Sequence, residues 1–207
     1  TIGALPVTAA GFLPGLLVAL RTAMPELSIH VVQGPTEQML TALRDRSVDV
    51  VIGRLYMLDA SNDLVREELF DDPISIFARS DHPIATTTSL RQSDLVEYGL
   101  VLPDVTHRVG SEIDEALRSL NLEPPQTALR SNSLGLIREL ILTSDMLAAM
   151  PRLMMAGDLM RGSVQLLSLP KQPERRPSGF FLAEGRELSP VLIAFLDFTR
   201  NYVERFR

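Results

Sequence analysis

The feature that most constrains this chain is the order of its apolar segments between Ile2 and Ile52. Ile2 to Pro6 is a short apolar run, and Leu13, Leu16, Leu17 and Leu20 then recur at helical spacing. Pro14 suits the first turn of that helix, where its missing N–H costs little, and Met24-Pro25 stops it. Leu27 to Val32 is rich in β-branched residues and predicts a second strand. Gly34-Pro35-Thr36 marks a turn, with Thr36 as the N-cap of a helix carrying Met39, Leu40 and Leu43. Val48 to Ile52 is a third strand, with too little polar alternation for a half-exposed sheet. Strand, helix, strand, helix, strand in this order is the signature of a parallel sheet covered on both faces.

The same pattern begins again further on. A loop from Met57 to Asp63 precedes two strand-like stretches, Leu64 to Phe70 and Pro73 to Ala78. After Ser80-Asp81-His82-Pro83, Leu100 to Leu102 reads as a strand, and Ile113, Ala116, Leu117 and Leu120 mark a helix. Gln126 to Arg130 is a strand, Leu134, Ile137, Ile141 and Leu142 mark a helix, and Met146 to Met150 is a strand ending at Pro151. A short helix to Met160 and a strand from Val164 to Leu169 close this block. Pro170 to Ser178, with its prolines and charges, reads as a linker. Gly179 to Ala183 is then a strand, and Ser189-Pro190 opens a helix whose apolar stripe is Val191, Phe195, Phe198, Tyr202 and Phe206. That stripe needs a sheet to cover, and the first block's sheet is the one without a later helix.

These segments predict an α/β chain of two Rossmann-like lobes. Lobe I is residues 1–77 plus 178–207, and lobe II is 78–177. Two crossover segments, near Ala78 and Ser178, join them. A double crossing is the form of a hinge, and the expected ligand cleft lies between the lobes.

Composition narrows the function. The chain has 207 residues and a net charge of −6, and its cations are scattered rather than gathered in the basic stripe of a nucleic-acid surface. It has no cysteine, which excludes disulfides, thiolate metal sites and a cysteine nucleophile. No apolar run approaches the roughly 18 residues of a membrane helix, and no leader peptide is evident. The start at Thr1 rather than Met, directly in a strand, points to a fragment of a longer protein.

In parallel sheets, ligands bind beyond the carboxyl ends of the strands, where helix N-termini attract anions. Thr8, Thr36 and Ser133 place hydroxyls at such junctions, and Ser131 and Asn132 flank the last. Each also fits plain helix capping. Arg54 follows the third strand and suits a carboxylate in a bidentate fork, or equally a solvated loop position or a salt bridge to Asp59 or Asp63. Thr106 and His107 lie in the loop after Leu100 to Leu102, again at a carboxyl end. His30 sits in a predicted strand and His82 in a turn. No nucleophile elbow, phosphate loop, dinucleotide fingerprint or metal-ligand spacing is present, so the expectation is no enzyme, no metal and no cofactor.

The chain resembles the effector-binding domain of LysR-type transcriptional regulators. The resemblance rests on Ile2-Gly3 with Phe12-Leu13-Pro14, on Pro25-Glu26-Leu27, and on Leu43 with Val48 to Ile52. It continues through Leu69-Phe70-Asp71-Asp72, Ser80-Asp81-His82-Pro83-Ile84 and the proline after Met146 to Met150. The ordered set covers nearly the whole chain. It implies a periplasmic-binding-protein-like (type II) fold and a bacterial, cytoplasmic regulator. It also implies a small-molecule effector, here expected to be a carboxylic acid, and a homodimer or tetramer. DNA would be bound only through an N-terminal winged helix-turn-helix absent from these residues, and no membrane is involved. The family's ligand positions fall at Val7-Thr8, at Thr36, at the loop from Pro103 to His107 and at Ser131 to Ser133, and some members that bind aromatic-derived acids use the position of Arg54. Thr143-Ser144-Asp145 departs from a glycine-x-glycine step that many members carry, and is similar to subgroups regulating sugar or aromatic-acid catabolism. The competing readings are an extracytoplasmic solute-binding receptor of the same architecture and an enzyme built on it.

Overall fold

The computed structural model describes residues 1–56, 63–86, 89–104 and 108–204. The chain divides into two units, Thr1–Asp72 with Arg176–Arg207, and Pro73–Arg175.

Unit 1 is built on a five-stranded sheet of order β2-β1-β3-β10-β4. Strands β1 (Ile2–Ala4), β2 (Val31–Gln33) and β3 (Val50–Arg54) are parallel, while β10 (Pro177–Ala183) runs antiparallel to β3 and to β4 (Leu64–Asp71). Helices α1 (Pro6–Gly11), α2 (Leu13–Ala23), α3 (Thr36–Arg44) and α8 (Pro190–Glu204) pack around it. Residues of β3 are buried almost throughout, as expected of a strand covered on both faces. On one side Met39, Leu40 and Leu43 of α3 pack with Val48, Val51, Tyr56 and Phe181. On another, Phe12, the residue before α2, lies tilted at 4.8 Å from Phe70 of β4 and edge-on at 6.0 Å from Tyr202 of α8.

Unit 2 repeats the plan with order β7-β6-β8-β5-β9. Strands β6 (Leu100–Pro103), β7 (Leu129–Ser131) and β8 (Leu147–Pro151) are parallel. Strand β5 (Ile74–Arg79) is antiparallel to β8 and to β9 (Val164–Leu166). Helices α4 (Gln92–Glu97), α5 (Arg108–Ser119), α6 (Leu134–Thr143) and α7 (Ala156–Met160) complete it. Its core joins Phe77, Leu102, Ile113, Leu117, Ile137 and Met150.

Each sheet therefore takes its antiparallel strand from just beyond a chain crossing. The crossings fall at Asp72/Pro73 and Arg175/Arg176, whereas Ala78 lies inside β5, paired with β9, and Ser178 lies inside β10. Pro73 and Pro177 occupy matching places: the Arg152 N–H donates to the Pro73 carbonyl at 3.0 Å, and the Leu55 N–H to the Pro177 carbonyl at 2.9 Å.

Several local expectations shift. The predicted strand over Leu27 to Val32 is confined to Val31–Gln33, and His30 precedes it. The strand expected over Gln126 to Arg130 lies at Leu129–Ser131, because Pro124-Pro125 holds the preceding stretch in a turn. Helix α4 has too short a pattern to be read from spacing. The buried face of α8 is Leu192, Phe195, Leu196, Thr199 and Val203, with Val191 exposed. Phe195 belongs to both stripes, so the helix is rotated toward the aliphatic side of the pattern; Phe206 lies outside the described residues.

Candidate functional site at the carboxyl edges of the two sheets

Because β1, β2 and β3 are parallel, their carboxyl ends share one edge of the unit 1 sheet. Thr8 and Thr36 follow those ends, and Arg54 is the last residue of β3. Thr8 is buried at the third position of α1, which starts at Pro6 after an extended Leu5 and has no side-chain cap. Thr36 is the first residue of α3, not its cap; Pro35 occupies the cap position and cannot cap with its ring. The Thr36 side chain is buried and makes no capping hydrogen bond, so the capping role expected of it is not what it performs.

Arg54 ends β3. Its Nη1 donates to the Pro177 carbonyl at 3.0 Å, and its guanidinium carbon stands 5.8 Å from the Tyr56 ring centroid. The Asp63 carboxylate, one of the expected partners, accepts from Arg44 Nε. Asp59 lies outside the described residues.

The parallel strands β6, β7 and β8 likewise bring their carboxyl ends to one edge of unit 2. Ser131 ends β7, and its Oγ accepts from the Ser133 N–H at 3.0 Å. Ser133 is the N-cap of α6, its Oγ accepting from the Leu136 N–H at 3.3 Å. Asn132, between them, is exposed. The Asp104 N–H donates to the Ser131 carbonyl at 3.1 Å, which joins the exits of β6 and β7. Thr106 and His107 lie outside the described residues.

Two residues that spacing did not single out shape this edge. Arg130 Nη2 reaches both carboxylate oxygens of the buried Asp114, at 3.0 and 2.9 Å, and Nη1 reaches the Pro103 carbonyl at 3.4 Å. Arg152 follows β8, held by its N–H on Pro73. A charged residue next to a strand-ending proline was the available signal for Arg152. The pairing of Arg130 with Asp114 joins β7 to α5 and leaves no local mark.

The other titratable features are structural. His82 is buried, its Nδ1 accepting from the Ile84 N–H at 3.0 Å and its Nε2 lying 2.9 Å from the Asp145 carbonyl. That fixes the Nε2-protonated tautomer, with Tyr98 edge-on at 4.6 Å. Asp158 is buried between Arg138 and Arg161, and its carboxyl is held below the ordinary value, first by hydrogen bonding to Arg138 and then to Arg161. Among the described residues, no group of three or more His, Asp or Glu side chains is arranged to hold a metal ion.

A family model, the LysR substrate binding domain, matches residues 1–204. The chain belongs to this family. Among curated relatives, the HTH-type transcriptional regulator GalR of Pseudomonas putida is 28% identical over 202 residues, covering 98% of this chain and 51% of that protein. The LysR domain described here thus spans about half the length of that relative. Solved structures agree on the fold. The Synechocystis CcmR regulatory domain, in complex with 2-PG, superposes with a TM-score of 0.76 at 17% identity, covering 98% of this chain and 96% of that one. The effector-binding domain of QuiR, in complex with shikimate, gives 0.71 at 18% identity, covering 99% and 96%. The LysR fold is thus the α/β, type II periplasmic-binding-like class.

In this LysR domain the segment Thr143-Ser144-Asp145 has a structural account. Ser144 Oγ donates to the Leu140 carbonyl and accepts from the Met146 N–H, closing α6, while Asp145 pairs with Arg79.

Proposed function

We propose that this chain is the effector-sensing domain of a bacterial LysR-type transcriptional regulator. It binds a small carboxylated metabolite and passes the signal to a DNA-binding domain, in the cytoplasm where the DNA is. The observation that carries the reading is the pair of carboxyl edges. Each gathers the ends of three parallel strands, and between them they carry Thr8, Thr36, Arg54, Ser131, Asn132 and Ser133 as ligand contacts. Thr106 and His107 belong to the same proposed set by their place after β6. Lobes of 1–77 with 178–207 and of 78–177, refined to crossings near Asp72 and Arg176, assign one set of contacts to each.

A carboxylic acid fits because hydroxyls, backbone N–H groups at helix starts and a guanidinium all favour an anion. Shikimate, the ligand of the QuiR domain, is such an acid. The curated relatives are transcriptional regulators, which supports a sensor over an enzyme. No described helix is long and apolar enough to cross a membrane.

Self-association as a homodimer, or a tetramer in the longer protein, is part of the proposal. A groove of about 600 Å³ is lined by Leu17, Val18, Arg21, Leu27, Ile29 and Val31 beside the edge strand β2. Val18 there is 72% exposed. An apolar edge of this kind is a surface that a second copy buries. Light scattering of the purified chain tests it: a dimer mass is expected, and a monomer at all concentrations contradicts it.

Binding is tested by thermal unfolding with a panel of metabolic carboxylic acids. A ligand at about 100 times its dissociation constant adds ~2.7 kcal/mol of stability. Thr36→Val keeps the shape and removes the hydroxyl. It is expected to weaken the binding of whichever acid stabilises the chain by about tenfold, the worth of one hydrogen bond to a charged group, while the ligand-free melting temperature stays close to wild type. Unchanged affinity removes Thr36 from the site.

A further inference from the structure

We infer that Arg152 is the residue through which the unit 2 carboxyl edge holds an anionic group of the effector. This rests on the sensor reading above and adds the cation that confers charge selectivity on that edge.

Three arginines stand at this edge by topology: Arg108 at the start of α5 after β6, Arg130 in β7, and Arg152 directly after β8. The first two are committed within the protein. Arg130 spends its fork on Asp114 and on the Pro103 carbonyl, and Arg108 has interactions of its own. On the other sheet, Arg54 donates from Nη1 to the Pro177 carbonyl and stands against Tyr56, and it serves the unit 1 edge. Arg152 differs. It is exposed, and among the described residues its side chain has no hydrogen-bond or ion-pair partner.

Its backbone is nevertheless fixed. The Arg152 N–H is bonded to the Pro73 carbonyl at 3.0 Å, and the residue is flanked by the buried strand β8 and by the 3-10 helix Arg152–Met155, whose Met155 is buried in the core. A guanidinium on a held backbone, with its five donors uncommitted, is suited to a carboxylate, phosphate or sulfate oxygen pair. The acidic residue closest in the unit 2 chain after it, Asp158, is already neutralised by Arg138 and Arg161 and does not compete.

The test is a titration of the ¹⁵N-labelled chain with sodium malonate at ionic strength held constant with sodium chloride. Saturable amide shifts are expected at Arg152 and at Ser131 to Ser133. In Arg152→Gln the apparent dissociation constant is expected to rise by roughly tenfold or more, the loss of a charge-assisted fork. Arg152→Lys is expected to fall between, because it keeps the charge and loses the fork. Chloride-matched controls separate binding from salt screening. Equal dissociation constants in wild type and Arg152→Gln overturn the assignment, as does the absence of saturable shifts at this edge. If malonate shifts Thr36 and Ser133 equally in both proteins, the carboxyl-edge reading survives and only Arg152 falls. If no carboxylate in the thermal panel stabilises the wild type, the sensor reading itself falls.

Discussion

Gly179 shows how one atom can decide a register. Strand β10 meets β4 with a shift between Ser178 and Gly179, so that Leu69 is skipped in the pairing. A Cβ on Gly179 would stand 1.9 Å from the Glu67 carbonyl oxygen, which is backbone and cannot turn aside. Gly179→Ala is therefore expected to lower unfolding stability by about 3 kcal/mol, the upper range for overpacking, in urea titrations. A loss under about 1 kcal/mol, small on the scale of single-residue effects, means that the bulge relaxes. Asp158 gives a second prediction at this scale. Its carboxyl is held below the ordinary value by Arg138 and Arg161, so folding favours the charged form. That stabilisation is present above the unfolded value of about 3.9 and disappears as pH falls through the lower folded value. Stability is expected to decline on acidification below about pH 4. Asp158→Asn, which has no proton to take up, is expected to be less stable at neutral pH and to show a shallower decline in the same window. An identical acid slope in the two proteins contradicts this role.

At the scale of elements, the capping serine of α6 is not excluded from binding by its structural task. Ser133 Oγ accepts from the Leu136 N–H, and its own hydrogen remains to be donated to a ligand oxygen. Ser133→Ala is expected to cost about 1 kcal/mol of stability through the lost cap, in thermal or urea unfolding. A cost near zero means that the cap contributes nothing. Thr36 is the contrast: it looked like a cap in sequence and is the first residue inside its helix, because Pro35 before it supplies the extended geometry. The order of strands and helices was legible because apolar periodicity is a local property. The strands β1, β3, β6 and β8, the helices α2, α3, α5 and α6, and the five hydroxyl and guanidinium positions at the two edges all follow from it. What was not legible depends on contacts distant in sequence. The rotation of α8 onto Leu192, Leu196 and Val203 depends on where α2 leaves room: a Cβ on Gly15 would stand 2.5 Å from the Tyr202 hydroxyl. The Arg130–Asp114 pair and the bond from Arg54 to Pro177, 123 positions away, left no periodic trace.

At the scale of the whole molecule, the two units repeat one plan. Three parallel strands end together, and a fourth, antiparallel strand enters past a proline whose carbonyl receives the N–H following the parallel strand beside it. Each crossing thus begins at the same carboxyl edge that carries the proposed ligand contacts. The family assignment fixes the fold, and the carboxyl edges supply the reading of it as a sensor. That reading is tested most directly by native mass spectrometry of the purified chain incubated with a pool of metabolic carboxylic acids. One intact acid bound non-covalently per chain, released unchanged on gentle activation, is the predicted result. No adduct from any pool, or recovery of the acid as a chemically altered product, would contradict it.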